Sequence, residues 1–174
     1  MRDESMAVRW GDRLLGFLVT MNLIVAGGFA LALVASGVWE QALLAQLTSK
    51  YGGQVDATML VWTMRALMMA GIVAVLPVDR CLRALRGVVA SVRMGDPFDP
   101  RNARRATTIG WGLLAIQLLD LGFGLASWLI VRAGADAAGW QPSIGGWLSV
   151  LVAFVLARVF AAGVRLRDDL EGTV

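Results

Sequence analysis

Residues 14–39 read LLGFLVTMNLIVAGGFALALVASGVW, a run without a single charge that follows a segment holding Arg2, Arg9 and Arg13. As a helix rising 1.5 Å per residue it would be about 39 Å long, more than the roughly 30 Å hydrocarbon core of a bilayer. The small-residue triplet Ala30-Leu31-Ala32 also invites a reading as a secretory leader with a cleavage site. A leader's apolar core is only about 7–15 residues long, however, so this run is expected to remain as a first transmembrane helix.

Working outward, three more apolar runs of spanning length follow, at about residues 58–78, 109–131 and 144–164. The composition agrees: 57% of the 174 residues are hydrophobic and 17% charged, with a mean hydropathy of +0.66, whereas a soluble domain carries about 25% charged residues. Four spans and short connections use up this length, so a single membrane domain over residues 1–174 is expected. Pro77 removes a backbone donor near the end of the second run and should bend that helix.

The connection at residues 79–108 is patterned. Leu82, Leu85, Val89 and Val92 recur at three- and four-residue steps, with Arg83, Arg86 and Arg93 on other faces, which predicts an amphipathic helix continuing out of the second span. Breakers crowd from Gly95 to Pro100, and Asp99 followed by Pro100 is a good N-cap and first position for the next helix. Between the first two spans, Leu43, Leu44, Leu47 and Tyr51 are spaced as on a short helix ending at Gly52-Gly53. The predicted fold is therefore all-α, an integral membrane four-helix transmembrane bundle with a helical cytoplasmic hairpin extension.

Basic residues set the orientation. The N-terminal segment, residues 79–108 and the tail hold twelve, against Lys50 and Arg132 on the other side. Under the positive-inside rule both termini and the central loop face the cytoplasm, in a bacterial cytoplasmic membrane. Trp39, Trp62, Trp128, Trp140 and Trp147 fall near the predicted outer boundary, and Trp10 and Trp111 near the inner one, where amphipathic rings prefer to sit.

Several chemistries fall away. With no His and the single Cys81, the chain cannot build a His/Cys zinc site, a His-ligated haem, an internal disulfide or a Cys/His catalytic pair. No phosphate loop, nucleophile motif or paired carboxylates stand out, so no enzyme activity and no cofactor are expected. Arg supplies all but one of the sixteen basic residues, a composition that does not form a nucleic-acid-binding tract. Met59, Met64, Met68 and Met69 suit soft metals but have no thiol or imidazole nearby, and read as core or lipid-facing residues. Asp96, Asp99 and Asn102 suggest a divalent cation site or, at lower cost, Asp-Pro turns with an N-cap.

Three ionisable residues, Arg65, Asp120 and Arg158, fall inside predicted spans. Each costs about 2.5–3.5 kcal/mol near the bilayer centre unless it finds a partner or water. Counting along the helices puts Arg65 about 10 Å from the outer end of its span and Asp120 about 16 Å from the inner end of its own. They are expected to pair, either as a structural tie between helices or as a relay in a small transporter or channel subunit. Arg158 lies closer to the cytoplasmic side and can snorkel to the headgroups. Small residues at Gly28, Ala32 and Ser36, and at Gly122 and Ala126, read as internal packing or as the seam of a homo-oligomer.

The stretch Val92-Arg93-Met94-Gly95-Asp96-Pro97-Phe98-Asp99-Pro100-Arg101-Asn102-Ala103-Arg104-Arg105, followed by Ile109-Gly110, resembles a signature of the bacterial membrane family catalogued as domain of unknown function 2975. The run from Val159 to Val174 is similar to that family's closing segment, with Gly172 where an apolar residue is usual and Ala106 where Leu is common. The resemblance implies four spans and no established activity. It also implies gene neighbours that are often small helix-turn-helix regulators, hence a regulatory or sensory membrane protein with a cytoplasmic partner. The candidate partner surface is Arg93, Gly95, Pro97, Phe98 and Asn102 from the turn, with Arg165, Arg167 and Asp168 from the tail. Phe98 is expected either as an exposed apolar anchor of the kind partner sites use or as packing beneath the two helices.

Overall fold

The computed structural model describes residues 2–52, 55–137 and 139–171, without the side chains of residues 2–10, 12, 168, 170 and 171. Five helices follow one another: α1 Arg2–Val38, α2 Glu40–Tyr51, α3 Ala57–Arg93, α4 Pro100–Arg132 and α5 Ile144–Glu171. Among the described residues there is no strand. Segments of α1, α3, α4 and α5 are long and apolar enough to cross a membrane, namely Arg13–Val38, Ala57–Arg93, Pro100–Arg132 and Ile144–Arg167.

The helix ends follow from local chemistry. The Asp56 carboxylate accepts hydrogen bonds from the backbone N–H of Thr58 (2.9 Å) and Met59 (3.1 Å), capping α3. At its other end Gly95 takes φ +79°. Its N–H donates to the Val92 carbonyl and that of Asp96 to the Ser91 carbonyl, both at 3.1 Å, the paired bonds that close a Schellman motif. Gly134 ends α4 the same way at φ +84°, with Gly134 N–H on Val131 (3.0 Å) and Ala135 N–H on Ile130 (3.2 Å). Helix α2 stops at Gly52 with φ 58°, as its sequence predicts; Gly53 lies outside the described residues.

Polar side chains share the interior with apolar ones, and large apolar side chains face outward. The most buried residues include Asn102, Ser91, Asp99, Gln117 and Ser127, while Leu31, Val34, Trp62, Leu125 and Leu151 stand exposed. A water-soluble chain does the reverse. Exposed hydroxyls turn inward on their own helices: Thr20 donates to the Gly16 carbonyl (3.1 Å), Thr63 to Met59 (2.9 Å) and Ser149 to Gly145 (2.8 Å). Hydroxyls facing hydrocarbon satisfy themselves in this way.

The chain divides into two compact units, whose boundaries fall inside α1, α3 and α4 and before α5. The first comprises residues up to Asn22, Pro77–Ile116 and Ile144 onward. Small residues set its packing. A Cβ on Gly112 would overlap the Cys81 Sγ and lie 3.2 Å from the Pro77 carbonyl oxygen, and one on Gly110 would meet the Phe154 ring at 3.0 Å. Ala106, Ala153 and Ala157 are buried here, so backbones approach closely, as membrane helices tend to.

The second unit comprises Leu23–Leu76 and Gln117–Ser143. Its core is Val55, Leu60, Ile130 and Ala135, with Leu47 and Tyr51 of α2 packed against it. Met64 and Met68 line an apolar cavity of about 290 Å³ with Ala32, Trp39 and Val61. A side chain on Gly28 or Gly122 would meet nothing within 4 Å, so these two do not provide the internal packing expected of them. Gly124 takes that role, carrying the Trp140 ring against its backbone.

Candidate functional site

In the first unit, the turn between α3 and α4 is built around Asn102, whose exposure is 0%. Its Nδ2 donates to Ser91 Oγ (2.6 Å) and to the Pro97 carbonyl (3.0 Å). Its Oδ1 accepts from Arg105 Nη1 (2.8 Å). The Ser91 hydroxyl itself donates to the Val88 carbonyl (2.8 Å). One buried amide thus joins the end of α3, the apex of the turn and the start of α4, with all of its hydrogen-bonding atoms used.

Asp99 caps α4 by accepting from the Arg101 N–H (2.8 Å), and its carboxylate also holds Arg101 Nε at 3.1 Å. These two bonds hold its carboxyl below the ordinary carboxylate range, the backbone one contributing most. A depressed pKa means stability that is present at neutral pH and lost as pH falls through the folded value. On acidification below about pH 4, wild type is expected to lose thermal midpoint more steeply than Asp99→Asn, measured in detergent across a pH series. Each of Asp96, Asp99 and Asn102 is engaged by protein atoms.

The tail reaches this turn. Arg167 Nη1 bonds Asp96 Oδ1 at 2.9 Å, and a Cβ on Gly163 would sit 2.5 Å from the Phe98 ring. One edge of Phe98 rests on α5, and 43% of the residue stays exposed. Gly95 and Pro97 are exposed at the apex. Arg93 is exposed at the end of α3, and Arg165 is exposed with its Nε on the Ala161 carbonyl (3.3 Å) of its own helix. The side chain of Asp168 and the closing residues 172–174 lie outside the described residues.

The Arg65–Asp120 pairing is corrected. In the second unit Arg65 Nη2 bonds Glu40 Oε2 at 2.9 Å and the Ser36 carbonyl at 2.7 Å, and its Nε donates to Ser36 Oγ at 3.2 Å. Its guanidinium also lies 5.2 Å from the Trp62 ring centroid. Among the described residues no ion pair or hydrogen bond involves the Asp120 carboxylate. The physical reason is reach. Counting residues locates a Cα, whereas an arginine carries its charge several bonds further, to an acid at the start of α2. Arg65→Gln is expected to lower stability by about 2 kcal/mol, and Asp120→Asn to leave it unchanged, in thermal unfolding of the purified protein.

Sequence reasoning named Asn102 but missed its partner Ser91, which looks like one more polar residue on an amphipathic helix. It also missed Glu40, although an acid at a span's end followed by a buried arginine was a signal.

The family model described as "Protein of unknown function (DUF2975)" matches residues 52–174, which takes in the turn, the tail and Arg65 but not Glu40 or Ser36. No curated protein and no solved structure matches the chain.

Proposed function

We propose that this chain, which belongs to the DUF2975 family, is a non-enzymatic regulatory or sensory membrane protein that holds a cytoplasmic protein partner on the surface made by its central turn and its tail. The observation carrying this reading is the junction of Phe98 with Gly163 and of Asp96 with Arg167. Two segments far apart in sequence are fixed together, beside exposed apolar groups at Met94, Phe98 and Leu166. A loop that only needed to face anionic headgroups would gain about 1 kcal/mol per Arg without any such shape.

The basic asymmetry supports placing this surface and both termini in the cytoplasm of a bacterium. The gene neighbours implied by the resemblance make a small helix-turn-helix regulator the first partner to test. Transport through an Arg65/Asp120 relay rests on a pairing that Glu40 replaces.

The test is co-purification of the neighbouring regulator with full-length protein from native membranes in mild detergent. Wild type is expected to retain it, while Phe98→Ala and Gly163→Val, both inserted and folded, lose it. A Val at residue 163 collides with the edge of the Phe98 ring, whose atoms are the three nearest to its Cβ, so it changes the junction where the side chain can turn away. Retention by both variants would overturn the surface, and no retention by wild type would overturn the regulatory reading.

A further inference from the structure

A groove of about 680 Å³ lies between α4 and α5 within the first unit, lined by Arg104 and Thr107 on one helix and by Leu151, Phe154, Val155 and Arg158 on the other. Both arginines are exposed. Among the described residues neither guanidinium has an ion pair or hydrogen bond. Three acids of the same unit are committed elsewhere: Asp99 to Arg101 and Arg105, Asp96 to Arg167, and Asp79 to Arg83. Among the described residues the groove thus holds two guanidinium groups that no acid pairs with.

Its floor is apolar and held in place. Phe154 packs on Gly110 and stands edge-on to Trp111, with centroids 5.5 Å apart at 84°. A free anion would use the two arginines and leave the apolar walls without a role. An anionic amphiphile uses both.

From these observations we infer that the α4–α5 groove binds one anionic glycerophospholipid, its phosphate held by Arg104 and Arg158 and its acyl chain lying along Leu151 and Val155. The inference rests on the multi-pass membrane placement and not on the partner surface. Depth fits this ligand. Arg158 lies six residues before Val164, where the apolar run gives way to Arg165, about 9 Å along the helix. Arg104 belongs to the basic start of α4. A phosphate at the edge of the hydrocarbon core lies between the two, and basic pockets between membrane helices hold lipid headgroups in this way. Guanidinium forks suit phosphate oxygens.

The experiment uses delipidated full-length protein in a neutral detergent, titrated with phosphatidylglycerol, phosphatidylcholine or inorganic phosphate. Native mass spectrometry reports bound lipid and thermal unfolding reports stabilisation. Phosphatidylglycerol is expected to bind saturably and stabilise, and the other two are not. Arg104→Gln and Arg158→Gln should each weaken that binding by about tenfold. Arg80→Gln, which removes an exposed charge of the same unit outside the groove, should not. Equal binding of phosphatidylcholine, equal stabilisation by inorganic phosphate, or an Arg80→Gln loss as large as the other two would each overturn the site. The wild-type lipid comparison decides the matter even if a groove variant fails to fold.

Discussion

Replacing Asn102 by Ala is expected to destabilise the protein by about 4 kcal/mol, read as a lowered thermal midpoint in detergent. The side chain is fully buried and serves three partners. Its removal leaves the Pro97 carbonyl and an Arg105 N–H, both in part-buried bonds, without their partner and opens a cavity where the amide was. Asn102→Asp should be nearly as damaging. It would preserve an acceptor for Arg105 but turn an acceptor toward the Pro97 carbonyl, and it would draw the Ser91 hydroxyl from the Val88 carbonyl. Ser91→Ala removes the bond it shares with the amide as well as its own bond to Val88, so the double variant should cost less than the sum of the singles. Additive losses would show that the amide is not the organiser of the turn.

The second large effect is expected at Gly112. A Val there must intrude on the Cys81 Sγ and on the Pro77 carbonyl, and one of these is backbone that cannot rotate away. Overpacking of this kind costs about 3 kcal/mol. Gly112→Ala should cost less, and combining it with Cys81→Ala should restore most of the loss, because the sulfur goes and the remaining 3.2 Å approach to Pro77 is tight but tolerable. Failure of the double variant to recover would place the strain in the backbone contact.

How much of this was legible depends on the length scale of the signal. Periodicity and hydropathy act over whole helices. The start of α4 at Pro100 and of α5 at Ile144, the stop of α3 before Gly95 and the short α2 all lie where the residues predict them. Asp99-Pro100 and Gly95 are local codes whose bonds involve immediate neighbours, and these too were readable. The partner choices were not. Arg65 could be placed along its helix but its side chain spans a distance comparable to the uncertainty in depth, and the acid that wins lies beyond the end of the first span. Trp140 shows the same limit: its tryptophan character suggests a boundary position, yet it packs over Gly124 with an indole N–H that is buried and, among the described residues, unpartnered. Glycines are equally mute, since Gly112 and Gly122 look alike in sequence and only one faces a neighbour.

The bonds that shape the turn run only from Val88 to Arg105, whereas the tie from Arg167 to Asp96 closes a separation of 71 residues. Local contacts form early and distant ones wait for loop closure. During synthesis the hairpin can therefore acquire its form while α5 is still inside the ribosome. The junction with the tail closes only after α5 has emerged. A product truncated before α5 would display the turn without its second half, so a partner that needs both would engage molecules that carry α5 and pass over those that lack it.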